Sequence, residues 1–372
     1  MYKVTHQWNK LKTCVVGRSY PPEIFKFIKN KNIRNIFEKL AIETEHDLKH
    51  LKHVLENRFG VKIIRPEIEK TFEIYKIKDG YIAPPISARD FMIMIDNNLH
   101  YPGLPNINHA WVDFAQKNKI LKYSSFEKLG YELKDKFSKK WNEFKKSDKI
   151  VFEKKINFFK DIFTHVLEQG NNVIASPINY MNSSFITRLG SKMIVGTQQY
   201  YDDKEKIREM FSHMYPDKKI FIVDSQGHSD GVFTPITNEL IISGDAETDY
   251  SETFPDAEIV QVPPEITLKN DQFGKQIHLA EHRWFLDGFE QDNKLAEMVD
   301  YYFNNWVGNV QETAFMVNIL MVDQKNAICS SDNKQVRDAM KRHGVELHIV
   351  PFRHKWFWDT GIHCLTQDLD RE

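Results

Sequence analysis

Apolar residues along the chain fall into short runs bounded by Gly, Pro and Asp. They are TCVVG from Thr13, VKIIRP from Val61, DFMIMID from Asp90, SKMIVG from Ser191, KIFIVD from Lys219, NELIISG from Asn238, AEIVQVP from Ala257, FMVNILMVD from Phe315 and VELHIVPF from Val345. Their brevity and their Val, Ile and Met content predict buried strands. Other stretches repeat with the helical period. Ile33, Ile36, Phe37, Leu40, Leu48, Leu51 and Leu55 fall on one stripe, as do Leu295, Met298, Tyr302 and Trp306, while Val336 and Met340 followed by Gly344 predict a short helix with a glycine stop. Strands and helices alternate throughout with no Pro/Gly/Ser linker, so the pattern predicts an α/β fold in one domain over 1–372. One stretch differs. From about Lys117 to Gln169 the chain is rich in Lys, Phe and Glu and reads as a helical insertion of one or two surface helices.

Composition narrows the classes of function. Of 372 residues, 41% are hydrophobic and 28% charged, enough apolar material for a substantial core. With 51 Lys+Arg against 52 Asp+Glu the formal net charge is −1, which gives no reason to expect nucleic acid or an anionic membrane as partner. No apolar run reaches the roughly 18–20 residues that span a bilayer, and MYKVTHQWNKLK lacks the apolar core of a signal peptide. A cytoplasmic location is expected. Cys14, Cys329 and Cys364 are too few and too scattered for a disulfide framework or a four-ligand zinc site. They leave room for one reactive thiol.

Two histidine sets have metal-like spacing: His46, His50 and His53 in the first predicted helix, and His278 and His282 around Glu281. Neither is HExxH, and the first set is interleaved with lysines, so exposed histidines and no metal are expected. DSQGHSDGVF carries a sharper signal. If HSD is extended, His228 and Asp230 project to one face, a base beside a carboxylate. In the C-terminal FRHKWFWDTGIHCLTQDLDRE, Cys364 follows a glycine-containing turn among aromatic residues that could wall a dry pocket. His363 is its sequence neighbour, yet adjacent strand residues face opposite ways, which leaves His228 the better base. Cys14 and Cys329 lie in apolar strand patterns and read as buried small residues. Asp90 stands where the loop PPISAR enters an apolar strand, a usual place for a site residue.

In chain order, LKTCVVGRSYPP, AIETEHDLKHLKHVLENRFGVKIIRPE, SARDFMIMIDN, HSDGVF, FMVNILMVD and FRHKWFWDTGIHCLTQDLDR resemble the glycine amidinotransferase family of the guanidino-group-modifying, or pentein, superfamily. The resemblance implies a five-bladed pseudo-symmetric α/β propeller. It implies Cys364 as nucleophile, His228 as general acid/base, and Asp90 and Asp230 as carboxylates holding a guanidinium; Arg353 matches an arginine of the family's C-terminal segment. Two departures stand out. SPINYMNSSFITRLG lacks the Asp that orients the catalytic histidine in the family, leaving Asn182 as the nearest polar substitute, and the serine-rich segment before FMVNILMVD is VQETAF, placing Gln311 and Glu312 there. The activity implied is transfer of the amidino group of arginine to an acceptor amine through an amidino-cysteine, without cofactor or metal. The partners implied are small molecules, with room for a homodimer. An arginine-type deiminase or dihydrolase, or a non-catalytic guanidino-compound binder, would use the same residues.

Overall fold

The computed structural model describes residues 1–78, 80–102, 146, 149–151, 153–176, 183–197, 204–225, 228–244, 248–263, 286, 289, 292–303, 306 and 315–372. In the first sheet β1 (Leu11–Val16) lies between β2 (Lys62–Ile64), to which it is parallel, and the C-terminal β17 (Thr366–Arg371), to which it is antiparallel. The two ends of the chain therefore share one sheet. A two-stranded hairpin, β3 (Lys76–Ile77) and β4 (Gly80–Tyr81), follows. The second sheet is β5 (Ile93–Ile95), β6 (Asn98–Pro102) and β7 (Asn172–Ser176), and the third is β8 (Ile186–Leu189), β9 (Lys192–Thr197) and β10 (Lys219–Asp224). The fourth is β11 (Phe233–Thr237), β12 (Leu240–Ser243) and β13 (Glu258–Gln261), and the fifth is β14 (Leu320–Met321), β15 (Asn326–Cys329) and β16 (Glu346–Ile349).

All five three-stranded sheets follow one scheme: the middle strand is antiparallel to one neighbour and parallel to the other. An antiparallel pair closes through a tight turn, whereas a parallel pair needs a crossover. The crossovers carry α1 (Lys31–Phe59) in the first sheet, α2 (Lys160–Glu168) in the second and α3 (Lys204–Met214) in the third. Helix α4 (Asn293–Tyr302) precedes the fifth sheet, and α5 (Lys334–Arg342) crosses it. The hairpin-crossover-strand order thus recurs in the second to fifth sheets, while in the first the antiparallel partner of β1 comes from the other end of the chain.

Local chemistry explains the helix bounds. Asn30 accepts hydrogen bonds from the N–H groups of Asn32 and Ile33 at the start of α1, and Gly60 ends it in the left-handed region, at φ 69°. Its predicted stripe is buried from Ile33 to Leu55 except Ile36, which is half-buried. The opposite face leaves His46, His50 and His53 exposed. Helix α2 falls in the stretch expected to be an inserted surface helix. Instead it is the regular crossover of the second sheet, with Ile162 and Val166 buried, because its apolar positions complete the core beside Phe158 and Phe159. The part of that stretch from 117 to 145 lies outside the described residues.

Several of the five antiparallel flanking strands meet at one buried carboxylate. Asp368 of β17 accepts two hydrogen bonds from Nη2 of Arg188 on β8, at 2.8 and 2.9 Å, and one from Nε of Arg371 at 2.5 Å. Arg89 brings a third guanidinium to 3.8 Å. Arg188 also donates to the carbonyl of Met94 on β5, and Arg371 to that of Met321 on β14. The fourth sheet is tied nearby: the side chains of Gln7 and Trp8 both donate to the carbonyl of Pro235 on β11. Burial would raise the Asp368 carboxyl, but Arg188, Arg371 and Arg89 outweigh it and hold it well below the usual carboxylate range.

Asp368→Asn leaves three buried guanidinium groups with no anion among them. The unfolding free energy should fall by about 3–5 kcal/mol, measured by denaturant titration. The native carboxyl is depressed, so its stabilisation is complete above the unfolded value of about 4 and is lost as pH falls towards the folded value. Acid unfolding of the variant should lack that component.

Candidate active site

Four segments converge on Cys364. The first is the C-terminal turn: the short helix Lys355–Trp358 ends at Asp359, whose φ of 48° places it in the left-handed region that Asp tolerates better than most residues. The chain then turns through Thr360 and Gly361 into β17. A Cβ on Gly361 would lie 2.5 Å from side-chain atoms of Asn318, so only glycine lets the turn approach that residue.

Asn318, fully buried, holds this turn from the segment before β14. Its Oδ1 accepts from the backbone N–H groups of His363 (2.7 Å) and Cys364 (3.1 Å), and its Nδ2 donates to Cys364 Sγ (3.0 Å) and to the Asp230 carbonyl (3.2 Å). The sulfur itself is 2% exposed as part of Cys364 and lies 3.2 Å from Asp230 Oδ2. His363 Nδ1 reaches that same oxygen at 2.9 Å. The other carboxylate oxygen, Oδ1, is buried and has no hydrogen-bond partner among the described residues.

The second and third segments carry the remaining charges. Residues Ala88–Phe91 form a single 3-10 turn, which sends Arg89 inward, 1% exposed, and leaves Asp90 at the mouth with 31% of its side chain open. Residues Ser229–Gly231 form another 3-10 turn after His228. HSD is therefore not extended; the tight turn sinks Asp230 while His228 stays 37% exposed, its Nδ1 3.8 Å from Asp90 Oδ1. Ser184 joins these two turns. Its hydroxyl donates to Asp90 at 2.5 Å, and its carbonyl accepts from the N–H and the hydroxyl of Ser229, each at 2.8 Å.

Arg89 belongs to both the buried cluster and the site. Its Nε donates to the His363 carbonyl at 2.7 Å and its backbone N–H to the Cys364 carbonyl at 3.3 Å. Burial alone would raise Asp230, but the hydrogen bond from His363 and the charges of His228 and Arg89 bring it below the usual carboxylate range. His363 is pushed down to about 4 by burial and by Arg89, against the pull of Asp230, so its ring is neutral near pH 7. Asp90 moves the opposite way. Burial raises it, against His228, the Ser184 hydrogen bond and Lys155, while the charge of Asp230 adds to the rise. Two carboxylates and a thiol thus lie together, Asp90 and His228 part-exposed at the mouth of a pit whose floor is the buried Asp230 and Cys364. Such a set can pair with a small planar cation that carries several N–H donors.

Comparison with solved structures gives the architecture a place. An amidinotransferase of the saxitoxin biosynthetic pathway from Microseira wollei superposes with a TM-score of 0.59 at 13% identity, covering 100% of this chain and 98% of that one. Inosamine-phosphate amidinotransferase from Streptomyces griseus gives 0.59 at 12% identity, over 100% and 97% of the two chains. The substrate-bound N-terminal domain of an arginine dihydrolase from the cyanobacterial ornithine-ammonia cycle gives 0.53 at 9%, over 96% and 98%. The chain shares its fold with these three proteins. No protein-family model matches the chain, and no curated protein matches it.

The structure brings Cys364, His228, Asp90 and Asp230 together. Arg353 does not join them. Its Nε and Nη2 bond Asp47 of α1 at 2.7–3.0 Å, and Nη2 also donates to the Glu43 carbonyl, so it ties the C-terminal segment to α1. Asn182, Glu312 and the pair His278 and His282 lie outside the described residues. Among the described residues no group of three His, Cys, Asp or Glu could hold a metal ion. Sequence reasoning missed Asn318, Ser184, Arg89 and the role of His363. Asn318 had a signal, a lone amide inside FMVNILMV, since a polar residue in a buried run needs partners.

Gly361→Ala should push the Asn318 amide away from the Cys364 turn. The cost expected for such overpacking is about 1–3 kcal/mol, read by thermal and denaturant unfolding.

Proposed function

We propose that the chain is a guanidino-group-modifying enzyme, an amidinotransferase that takes the amidino group of L-arginine onto Cys364 and passes it to an acceptor amine. The observation that carries the reading is the meeting of Cys364 Sγ with Asp230 Oδ2 at 3.2 Å beneath Asp90 and His228. Similarity of fold to two amidinotransferases favours transfer over hydrolysis. On the same reading the five sheets are blades of a propeller about the Asp368 cluster, with the site at one end of that axis.

The chemistry follows from the geometry. A guanidinium entering the pit pairs its N–H fork with Asp90 at the mouth and with the open Oδ1 of Asp230 below. Its central carbon then faces Cys364. The thiol proton passes to His228, the sulfur attacks carbon, and the Asn318 amide supports the charge on sulfur. The carbon–nitrogen bond to the leaving amine breaks as His228 returns the proton to that nitrogen, releasing ornithine and leaving an amidino-cysteine. An incoming amine gives a proton to His228 and forms a new carbon–nitrogen bond; the carbon–sulfur bond breaks and the thiolate is reprotonated. Glu312, in place of a small polar residue of the family, is proposed to meet the acceptor as an anion suited to a cationic or hydroxylated amine. With water as acceptor that intermediate would give urea; citrulline would require ammonia instead of ornithine to leave in the first step, followed by hydrolysis of the arginine-derived thiouronium left on Cys364.

Incubation with labelled arginine and a panel of amines tests the reading. Ornithine release that depends on the amine, with ping-pong kinetics, is the expected result; citrulline from arginine alone would replace transfer by hydrolysis. Absence of either product, with arginine bound, would leave a guanidino-compound binder. Cys364→Ala should abolish turnover and retain arginine binding, and peptide mass spectrometry of trapped wild-type protein should find the amidino group on Cys364. Asp230→Asn should weaken arginine binding by about 2–5 kcal/mol, and Asp90→Asn towards the lower end because that side chain is solvent-screened. Both effects are measured by calorimetry. Binding should also weaken on acidification, beginning with Asp90, the carboxylate whose pKa is raised, before Asp230, whose pKa is lowered.

A further inference from the structure

His363 immediately precedes the sulfur-bearing residue, and alternation along a strand would turn its ring away from Cys364. The turn around Gly361 removes that alternation. Both side chains instead converge on one oxygen, Asp230 Oδ2, with His363 Nδ1 at 2.9 Å and Cys364 Sγ at 3.2 Å. The backbone on either side of the ring is fixed as well: the His363 N–H is taken by Asn318 and its carbonyl by Arg89. A neutral imidazole facing a carboxylate carries its proton on the nitrogen that faces it, so Nδ1–H is the donor.

This leaves the two oxygens of Asp230 with different tasks. Oδ2 is occupied from two sides. Oδ1 is buried without a partner among the described residues, a costly condition for a carboxylate oxygen unless a ligand donor completes it. We propose that His363 is a positioning residue of the guanidinium site: by clamping Oδ2 it fixes the Asp230 rotamer, keeps the carboxylate ionised and turns Oδ1 to the bound cation. The inference rests on the reading that the pit binds guanidinium. His363 moves no proton itself, since its Nδ1–H stays on Asp230 while His228 stands at the open mouth.

The charged and titratable groups around Asp230 define what removal of His363 would do. Arg89 approaches from the Ala88–Phe91 turn, His228 from the start of the Ser229–Gly231 turn, Cys364 from the C-terminal turn, and Asp90 shares the pit. Without the His363 hydrogen bond, burial and the Asp90 charge would act on Asp230 against Arg89 and His228 alone. Its pKa would rise, and the acid limb of guanidinium binding would move to higher pH.

The test compares His363→Asn, whose amide can replace Nδ1–H as donor, with His363→Leu, which keeps bulk and loses the donor; His363→Ala serves if the leucine variant folds poorly. Arginine binding is titrated by calorimetry from pH 4 to 8 on variants whose circular dichroism and melting point match the wild type. Loss of the charge-assisted bond should weaken binding about tenfold or more in the leucine or alanine variant and shift the later step of its acid limb, the one set by Asp230, upward by about one pH unit. The asparagine variant should stay within about threefold of wild type with the wild-type acid limb. A well-folded leucine variant with unchanged affinity and acid limb overturns the role, as does an asparagine variant impaired equally. A wild-type chain that takes up no guanidinium removes the premise and the proposal together, an outcome read without any variant.

Discussion

Asp368 is buried, ionised and faced by three guanidinium groups, and in a low-dielectric interior none of these charges is tolerable without the others. Apolar contacts between small sheets would permit several relative placements, since dispersion and area are not directional. Bidentate pairing is directional. Arg188 must present its fork to Asp368 from β8, and the remaining donors must find the Met94 and Met321 carbonyls, so strands of four sheets are fixed together by one set of bonds. The closure of the first sheet by β17 depends on the same residue, because Asp368 is itself a member of that strand.

That cluster also sets the electrostatic character of the site. Three guanidinium groups against one carboxylate leave a local excess of positive charge, and Arg89 carries it to the Cys364 turn through bonds to two backbone carbonyls. An anion nearby is thereby favoured. Asp230 is buried yet depressed, the reverse of what burial alone would give, while Asp90, farther out and closer to solvent, is raised. The same chemical group is thus held ionised more firmly in one place and is more easily protonated in the other. Environment alone separates the two.

Much of this was legible along the chain, and the parts that were not share a cause. Strands β9, β10 and β12 each carry an unbroken apolar run, MIV, IFIV and LII, so composition alone marks them. Strand β17, TQDLDR, is equally buried but polar, because its partners are arginines from elsewhere in the sequence, and no hydrophobic pattern reports that. The site divides in the same way. Cys364, His228, Asp90 and Asp230 stand in motifs and could be named, whereas Ser184 and Asn318 act by bonding two turns that are distant in sequence. Arg353 shows the converse error: its match to a family position carried no geometry, and its fork is used on Asp47. The turns misled in both directions, since assuming extended backbone aligned His228 with Asp230 correctly for the wrong reason and separated His363 from Cys364 wrongly.

In the proposed reaction the outcome is set at two points, by which nitrogen leaves and by what then reaches the intermediate. Cleavage of the bond to the substituted nitrogen releases ornithine and leaves the amidino group on Cys364, which an amine turns into a new guanidine and water into urea. Cleavage to an unsubstituted nitrogen releases ammonia and ends in citrulline. In each case the group that protonates the leaving nitrogen must stand beside it. Cys364 and Asp230 are buried while His228 and Asp90 are part-exposed, so the more open side of the cluster is the side of His228. On the proposed reading, a guanidinium that turns its substituted nitrogen to that side sets it beside His228 and keeps its unsubstituted nitrogens on the carboxylates. Ornithine is then the group that leaves, and the acceptor enters where it left, next to the same histidine.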